Sequence, residues 1–336
     1  MKRLLFRFYS VSVKLKLIIV ILLTVSCTPQ IQITSTDFSE SYSDPEAYLM
    51  TAVRYNNIPT VMRFIEEKLV DVNARDESGR TALMHAVINE RILIAEYLLQ
   101  KKADPLLRDS WKYSAPVYAW ESNNKEMISL VLKNTPDLNA RDLWGQTPLQ
   151  LAVCWKYSDI AMWLLNKGVD LDLQDNEGQS ALILTIRCYN PNLTGELLKR
   201  GANPDLQDEN GDAALHYAII YHQPEILSLL LKSGARTDIF NLENQSPLMM
   251  AINYEYLELI KPFLTKGTGL DAQNQNGRTA LMKAIADKQF EIAKLLIQSG
   301  ASLTLPDNSG RTALSMASET WSEKAVKQLQ EINDGK

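Results

Sequence analysis

The sequence predicts an all-α solenoid of helix–turn–helix units, each 33 residues long and joined by β-hairpin-like turns, about nine units in all including degenerate end units. Three registers predict it. Steps of 33 from Leu98-Leu99 reach Val131-Leu132, Leu164-Leu165, Leu197-Leu198, Leu230-Leu231, Phe263-Leu264 and Leu296-Ile297 without a slip. The same step from Gly79 reaches Lys112, Gly145, Gly178, Gly211, Asn244, Gly277 and Gly310. Three residues earlier stand Asp76, Asp109, Asp142, Asp175, Asp208, Asn241, Asn274 and Asp307. A fixed period of this length marks stacked supersecondary units, each unable to bury its apolar face alone.

Each unit reads in order as turn, helix, helix, stop. The Asp-x-x-Gly segment makes a tight turn, in which Gly takes positive φ and Asn244 is the best non-Gly substitute. Thr81, Thr147, Ser180, Ser246, Thr279 and Thr312 follow as helix N-caps, and Pro148 and Pro247 suit the first helical turn. Leu83 and Ala86 open a short first helix; Ile92, Ala95, Leu98 and Leu99 give the second its helical spacing. Gly168, Gly201, Gly234, Gly267 and Gly300 supply the left-handed stop.

Thr147-Pro148-Leu149-Gln150-Leu151-Ala152, with Ala214-Leu215-His216-Tyr217-Ala218 supplying the His, resembles the Thr-Pro-Leu-His-x-Ala core of the ankyrin repeat. The resemblance covers eight units from about residue 75. It implies an ankyrin-repeat domain over 44–336: a degenerate first unit at 44–74, regular units over 75–305 and a C-terminal capping unit at 306–336. The first unit retains Leu49, Ala52, Phe64, Ile65 and Asp71-Val72-Asn73, with one extra residue before Asp71. In the last, Ala325, Val326 and Leu329 are expected inward and Lys324, Lys327, Gln328, Gln330 and Glu331 towards water.

The N-terminus has a different character. Residues 1–26 carry five bases and no acid; the last base, Lys16, is followed by the apolar run from Leu17 to Leu23 and by Thr24-Val25-Ser26-Cys27. A basic stretch, a short apolar stretch and a small residue are the parts of a secretory signal, and the nine-residue stretch from Leu17 to Val25 falls short of the roughly 20 that span a bilayer. Leu23-Thr24-Val25-Ser26-Cys27 resembles a bacterial lipoprotein lipobox, with Thr24 where that motif usually has Leu, Val or Ile. The resemblance implies lipidation of Cys27 and residence at a bacterial envelope membrane, facing the periplasm or the cell surface. A conventionally cleaved signal giving a soluble periplasmic protein, or an uncleaved anchor, are the alternatives. Residues 28–43, rich in Ser and Thr, read as a tether spanning on the order of 20–25 Å. Removing residues 1–26 takes the net charge from −5 to −10, since 30 bases then face 40 acids.

Chemistry is sparse. A mildly acidic chain is ill suited to nucleic acid. Three Cys make no disulfide framework, and His85, His216 and His222 lack metal-ligand spacing. Cys154 and Cys188 lie 34 apart in adjacent units; helices stacked about 8–10 Å apart exceed the 7 Å Cα limit for a bridge, so two separate thiols are expected. Neither a phosphate-binding Gly loop nor a Gly-x-Ser-x-Gly elbow occurs. The Asp/Asn and Thr/Ser series recur in every unit or nearly so, which marks scaffold rather than one catalytic constellation. No enzyme activity, metal or cofactor is expected.

The ankyrin resemblance implies a protein partner, bound by a monomer through variable turn tips and the inner face of the first helices. At those positions Trp111, Tyr113, Leu143, Trp144, Trp155, Tyr221, Leu242 and Tyr254 collect in the middle of the array. Exposed Trp and Tyr dominate interface energetics; the alternative is that several fold back over neighbouring helices. The expected function is a non-catalytic interaction scaffold, exported and lipid-anchored. The alternative is a soluble periplasmic or secreted protein, protecting an envelope enzyme or acting on another cell.

Overall fold

The structure is a computed structural model that describes residues 44–335. The signal segment 1–26, Cys27 and the tether read from the sequence lie outside the described residues. The chain divides into two units, residues 1–48 and 49–336. Of the first, Asp44 accepts the Ala47 N–H at 2.9 Å and so starts helix α1 (Pro45–Arg54).

Helix α1 and helix α2 (Ile58–Glu66) form the first of nine helix pairs among the described residues. The others are α3 (Ala82–Ile88) and α4 (Ile92–Gln100), α5 (Ala115–Ser122) and α6 (Lys125–Lys133), α7 (Pro148–Cys154) and α8 (Ser158–Asn166), α9 (Ala181–Arg187) and α10 (Pro191–Lys199). Then come α11 (Ala214–Ile220) and α12 (Pro224–Lys232), α13 (Pro247–Asn253) and α14 (Leu257–Lys266), α15 (Ala280–Ala286) and α16 (Phe290–Gln298), α17 (Ala313–Thr320) and α18 (Glu323–Asp334). No strand occurs among the described residues, but antiparallel bridges Arg75–Thr81, Gln174–Ser180 and Pro306–Thr312 give the connecting turns their hairpin character. No described helix is long and apolar enough to cross a membrane.

First helices pack on first helices, as α9 does on α7 and α11, and second helices on second, as α12 does on α10 and α14. The core therefore runs in register through the stack: Leu83, Leu149, Leu182, Leu215, Leu248 and Leu281 are buried in the first helices, and Leu98, Val131, Leu164, Leu197, Leu230, Phe263 and Leu296 in the second. Each such side chain contributes about 1.5–3 kcal/mol on burial. In the end helix α18, Val326 and Leu329 are buried, Ala325 is half-buried, and the flanking Lys, Gln and Glu face water.

The turn and cap chemistry follows the sequence closely. Thr81, Thr147, Ser180, Ser246, Thr279 and Thr312 each accept the backbone N–H three residues on. The extra residue of the first unit is Leu69, 42% exposed; Val70 recovers the buried slot that Ala103 fills one unit later.

One recurrent feature escaped the sequence. Glu90, Asn123, Lys156, Tyr189, His222, Glu255 and Lys288, again 33 apart, all take positive φ in the turn between paired helices. Because these residues differ in type and none is Gly, nothing in composition marks the turn.

Candidate functional site

The turn tips are built by side-chain-to-backbone bonds. Asp76 Oδ1 accepts the N–H groups of Ser78 and Arg80, both at 2.9 Å, and Asp109 does the same for Trp111 and Tyr113, Asp142 for Trp144 and Gln146, and Asp175 for Glu177 and Gln179. Adjacent tips are then joined backbone to backbone: Ser110 to Ser78, Asn176 to Trp144, Glu209 to Glu177, Leu242 to Asn210 and Asn308 to Asn276, with the first residue of each pair donating at 2.9–3.1 Å. Each joint passes a Gly. A Cβ on Gly178 would lie 2.8 Å from Asp208 Cα, and one on Gly211 would lie 2.9 Å from the Leu242 nitrogen.

Where the Gly is replaced, the joint is missing among the described residues. Lys112 holds φ 66° and no bond links Leu143 to Trp111; Asn244 holds φ 61°, and its side chain, not the backbone, accepts Gln275 N–H at 2.9 Å. The Cβ of Lys112 or Asn244 fills the gap through which neighbouring backbones otherwise meet.

Nine residues beyond the turn Asp, a donor reaches back from the first helix. His85 Nε2 lies 2.8 Å from Asp76 Oδ2, and Tyr118 and Tyr217 donate to Asp109 and Asp208 at 2.5 Å. Burial raises Asp76, but the bonds from His85 and from backbone N–H groups outweigh it and hold the carboxyl below its usual range. In the two central units Leu151 and Leu184 stand at the donor position. There burial wins, and Asp142 and Asp175 titrate above the usual carboxylate range.

The sequence-predicted surface residues divide. Trp111, Trp144, Tyr221, Leu242 and Tyr254 are exposed, Leu242 most at 79%, while Tyr113, Leu143 and Trp155 are half-buried. Trp155, Tyr221 and Tyr254 occupy one register as the C-caps of α7, α11 and α13. Tyr113 and Trp144 lie with ring centres 6.3 Å apart, and Tyr113 meets Tyr118 edge-on at 5.6 Å. Tyr221 stacks on Tyr217 at 6.1 Å and Tyr254 on Tyr256 at 5.4 Å. Among the described residues no ring contact joins Trp155 to either cluster or Tyr221 to Tyr254. The stripe is thus three separate aromatic groups, with Trp155 between the first and the second in sequence.

Charge accompanies the first cluster. The Arg80 guanidinium lies 4.8 Å from the Trp111 ring centre and 3.7 Å from Asp109 Oδ2. Glu121, on the first helix behind it, is pushed up to about 7 by burial and by Asp109 and Asp142, against the pull of Arg80. Sequence reading passed over Arg80, Tyr118 and Glu121 as site residues. Only the 33-residue offset from Arg80 to Tyr113 and from Tyr118 to Leu151 hints that they share one surface.

The unit that departs most from the repeat carries a cavity of about 120 Å³, lined by Pro116, Trp120, Thr135, Asp142 and Gln146 among others. Pro116 stands where other units have the core Leu. Buried His216 is structural: it accepts the Ala213 N–H on Nδ1 at 3.1 Å and meets the Gln245 carbonyl with Nε2 at 3.2 Å. No group of three or more His, Cys, Asp or Glu among the described residues is placed to hold a metal ion.

A family model described as ankyrin repeats (three copies) matches residues 18–109, 104–175, 163–241 and 248–335. Among curated proteins, the mitochondrial disaggregase of Bos taurus is 36% identical over 104 residues, 31% of this chain and 15% of that protein. Its Homo sapiens counterpart is 42% identical over 74 residues, 22% and 10% of the two chains. Palmitoyltransferase akr1 of Schizosaccharomyces pombe is 41% identical over 56 residues, 17% and 9%. The match thus spans 15% or less of these relatives' length. The crystal structure of the ankyrin repeat domain of Bcl-3, a member of the IkappaB protein family, superposes with TM-score 0.56 at 28% identity, covering 67% of this chain and 99% of that one.

Proposed function

Because the chain belongs to the ankyrin-repeat family, we propose that it is a non-catalytic scaffold whose turn tips and first helices bind a protein partner. The observation that carries this reading is the exposure of Trp111 and Trp144, 46% and 39%, beside Tyr113 in consecutive turns. Contiguous exposed aromatic surface of this kind is characteristic of recognition sites. The nearby carboxylates of Glu121 and Asp142 favour a partner segment carrying Lys or Arg. A fold common to many functions does not choose the partner; these side chains do.

The scaffold acts as a monomer at a bacterial cell envelope, exported by residues 1–26 and held by lipid on Cys27. The basic and apolar segments before Ser26-Cys27 support this placement. Each buried methylene of a lipid chain contributes about 0.8 kcal/mol, so two or three chains hold the protein firmly.

Replacing Trp111, Trp144 and Trp155 together by Ala should abolish partner recovery from envelope extract. Unchanged recovery by a folded variant overturns the surface. Globomycin should cause an uncleaved precursor to accumulate. If a soluble product forms regardless, the protein is instead a free periplasmic or secreted one, protecting an envelope enzyme or acting on another cell.

A further inference from the structure

The cavity of about 120 Å³ lies between two units: Pro116 and Trp120 line it from α5, Pro148 and Leu151 from α7. Two polar groups on its wall lack a partner. Trp120 stands where Val87, Val153, Ile186 and Ile219 stand in other units, so a donor occurs here at a position otherwise apolar. The residue is 3% exposed, and its buried indole Nε1 meets no acceptor among the described residues. A donor in that state has lost its water without gaining a protein partner.

Asp142 supplies the second group. Its Oδ1 accepts the N–H groups of Trp144 and Gln146, but no described residue donates to Oδ2. In other units that oxygen has a side-chain partner: Asp76 meets His85, Asp109 meets Tyr118 and Asp208 meets Tyr217. Asp142 has Leu151 at the donor position, and both residues line the cavity. The same space therefore offers a spare donor and a spare acceptor. Its wall also discriminates by charge. Arg108 and Arg141 are matched there by Asp137 and Asp142, so the lining carries no net formal charge and gives an ion no advantage. A volume of about 120 Å³ is several times what one water needs.

We propose that this cavity is a binding site for a primary carboxamide, whose carbonyl oxygen accepts the Trp120 indole N–H and whose NH2 donates to Asp142 Oδ2. A neutral group with an acceptor and a donor side by side satisfies both orphans at once, which a carboxylate or an ammonium does not. A small free amide and an Asn or Gln side chain brought by a partner share this chemistry. The site stands apart from the partner-binding reading, because its two groups line a cavity within the stack rather than the exposed aromatic surface.

The test titrates the full chain with propanamide, propionate and propylammonium, following the assigned Trp120 indole N–H signal by heteronuclear NMR. Propanamide should shift the signal saturably, at roughly millimolar affinity for so small a guest, and the two ions should not. Capped glutamine and capped alanine separate the sources. A shift with capped glutamine alone assigns the guest to a protein side chain, a shift with neither assigns it to a free amide, and equal shifts with both overturn the primary-amide requirement. Leu151→Tyr gives Asp142 the donor that Tyr118 and Tyr217 provide elsewhere, and should abolish the propanamide shift. If it fails to fold, Asp142→Asn decides, because Asn274 makes the same turn bonds in register. The turn is then kept while the acceptor is lost, and affinity should fall at least about tenfold, as expected for a hydrogen bond to a charged group. No saturable shift with propanamide, equal shifts with the ions, or unchanged affinity in the folded variants would each overturn the proposal, the first leaving the cavity to solvent.

Discussion

Tyr217 donates its hydroxyl to the buried Asp208 carboxylate at 2.5 Å, tying the first helix α11 to the turn that precedes it. The bond recurs at Tyr118–Asp109 and His85–Asp76, so the position tolerates two donor chemistries but serves one purpose. A hydrogen bond to a charged group contributes about 1.5–3 kcal/mol, and removing the donor leaves a desolvated carboxylate.

Tyr217→Phe should accordingly destabilise the domain by about 2 kcal/mol, read from urea midpoints at unchanged slope. A shift under about 0.5 kcal/mol would show that solvent replaces the hydroxyl without cost.

His216 is buried and its pKa is lowered to about 4, chiefly by burial, from an ordinary value of 6.5. The unfolded chain therefore binds a proton that the folded chain does not between those values. Stability is fully present above pH 6.5 and declines as pH falls towards 4. Gln150, in the same register, makes equivalent bonds to Thr147 N–H at 2.7 Å and the Gln179 carbonyl at 2.7 Å without titrating. His216→Gln should leave neutral stability within about 1 kcal/mol and flatten the acid limb; an unchanged limb in denaturation at pH 7 and pH 4.5 refutes the assignment.

Lys112 sits in a left-handed conformation that costs an L residue about 1–2 kcal/mol, and its Cβ occupies the gap through which adjacent turns bond. Lys112→Gly should restore the link from Leu143 N–H to the Trp111 carbonyl. After the larger unfolded-state entropy of Gly, a net gain of about 1 kcal/mol is expected. Protection of the Leu143 amide from hydrogen exchange checks the bond itself, and no gain in protection counts against it.

Glu121 titrates at about 7 in the folded chain against an ordinary value of 4.5. Between these values the folded state retains a proton that the unfolded chain has released, so stability falls as pH rises through the window. Glu121→Gln should stabilise above pH 7 and change nothing below pH 4.5. Equal midpoint shifts at pH 4 and pH 8 would contradict the buried-carboxylate account.

The fold was legible because a 33-residue repeat states each local rule several times. Glycine at positive φ, a hydroxyl accepting the third N–H on, and apolar pairs at helical spacing are short-range matters, so register alone located the turns, caps and core. Candidate surface positions followed from the same register, which placed Trp111, Trp144 and Tyr254 where the structure exposes them. Register could not tell which aromatics touch. Tyr113 pairs with Trp144 and Tyr221 with Tyr217, while Trp155 joins neither cluster among the described residues, because ring contacts depend on how α5, α7 and α11 stack.

The sequence by itself determined the repeat, its helices and the positions of its variable residues, all consequences of backbone geometry and apolar spacing. Only tertiary structure decided the electrostatics between units. Glu121 is raised by burial and then by Asp109 of its own unit and Asp142 of the next, and burial raises Asp142 and Asp175. Such shifts arise from burial and from charges brought within a few ångströms across a stack, distances that no linear spacing of residues contains.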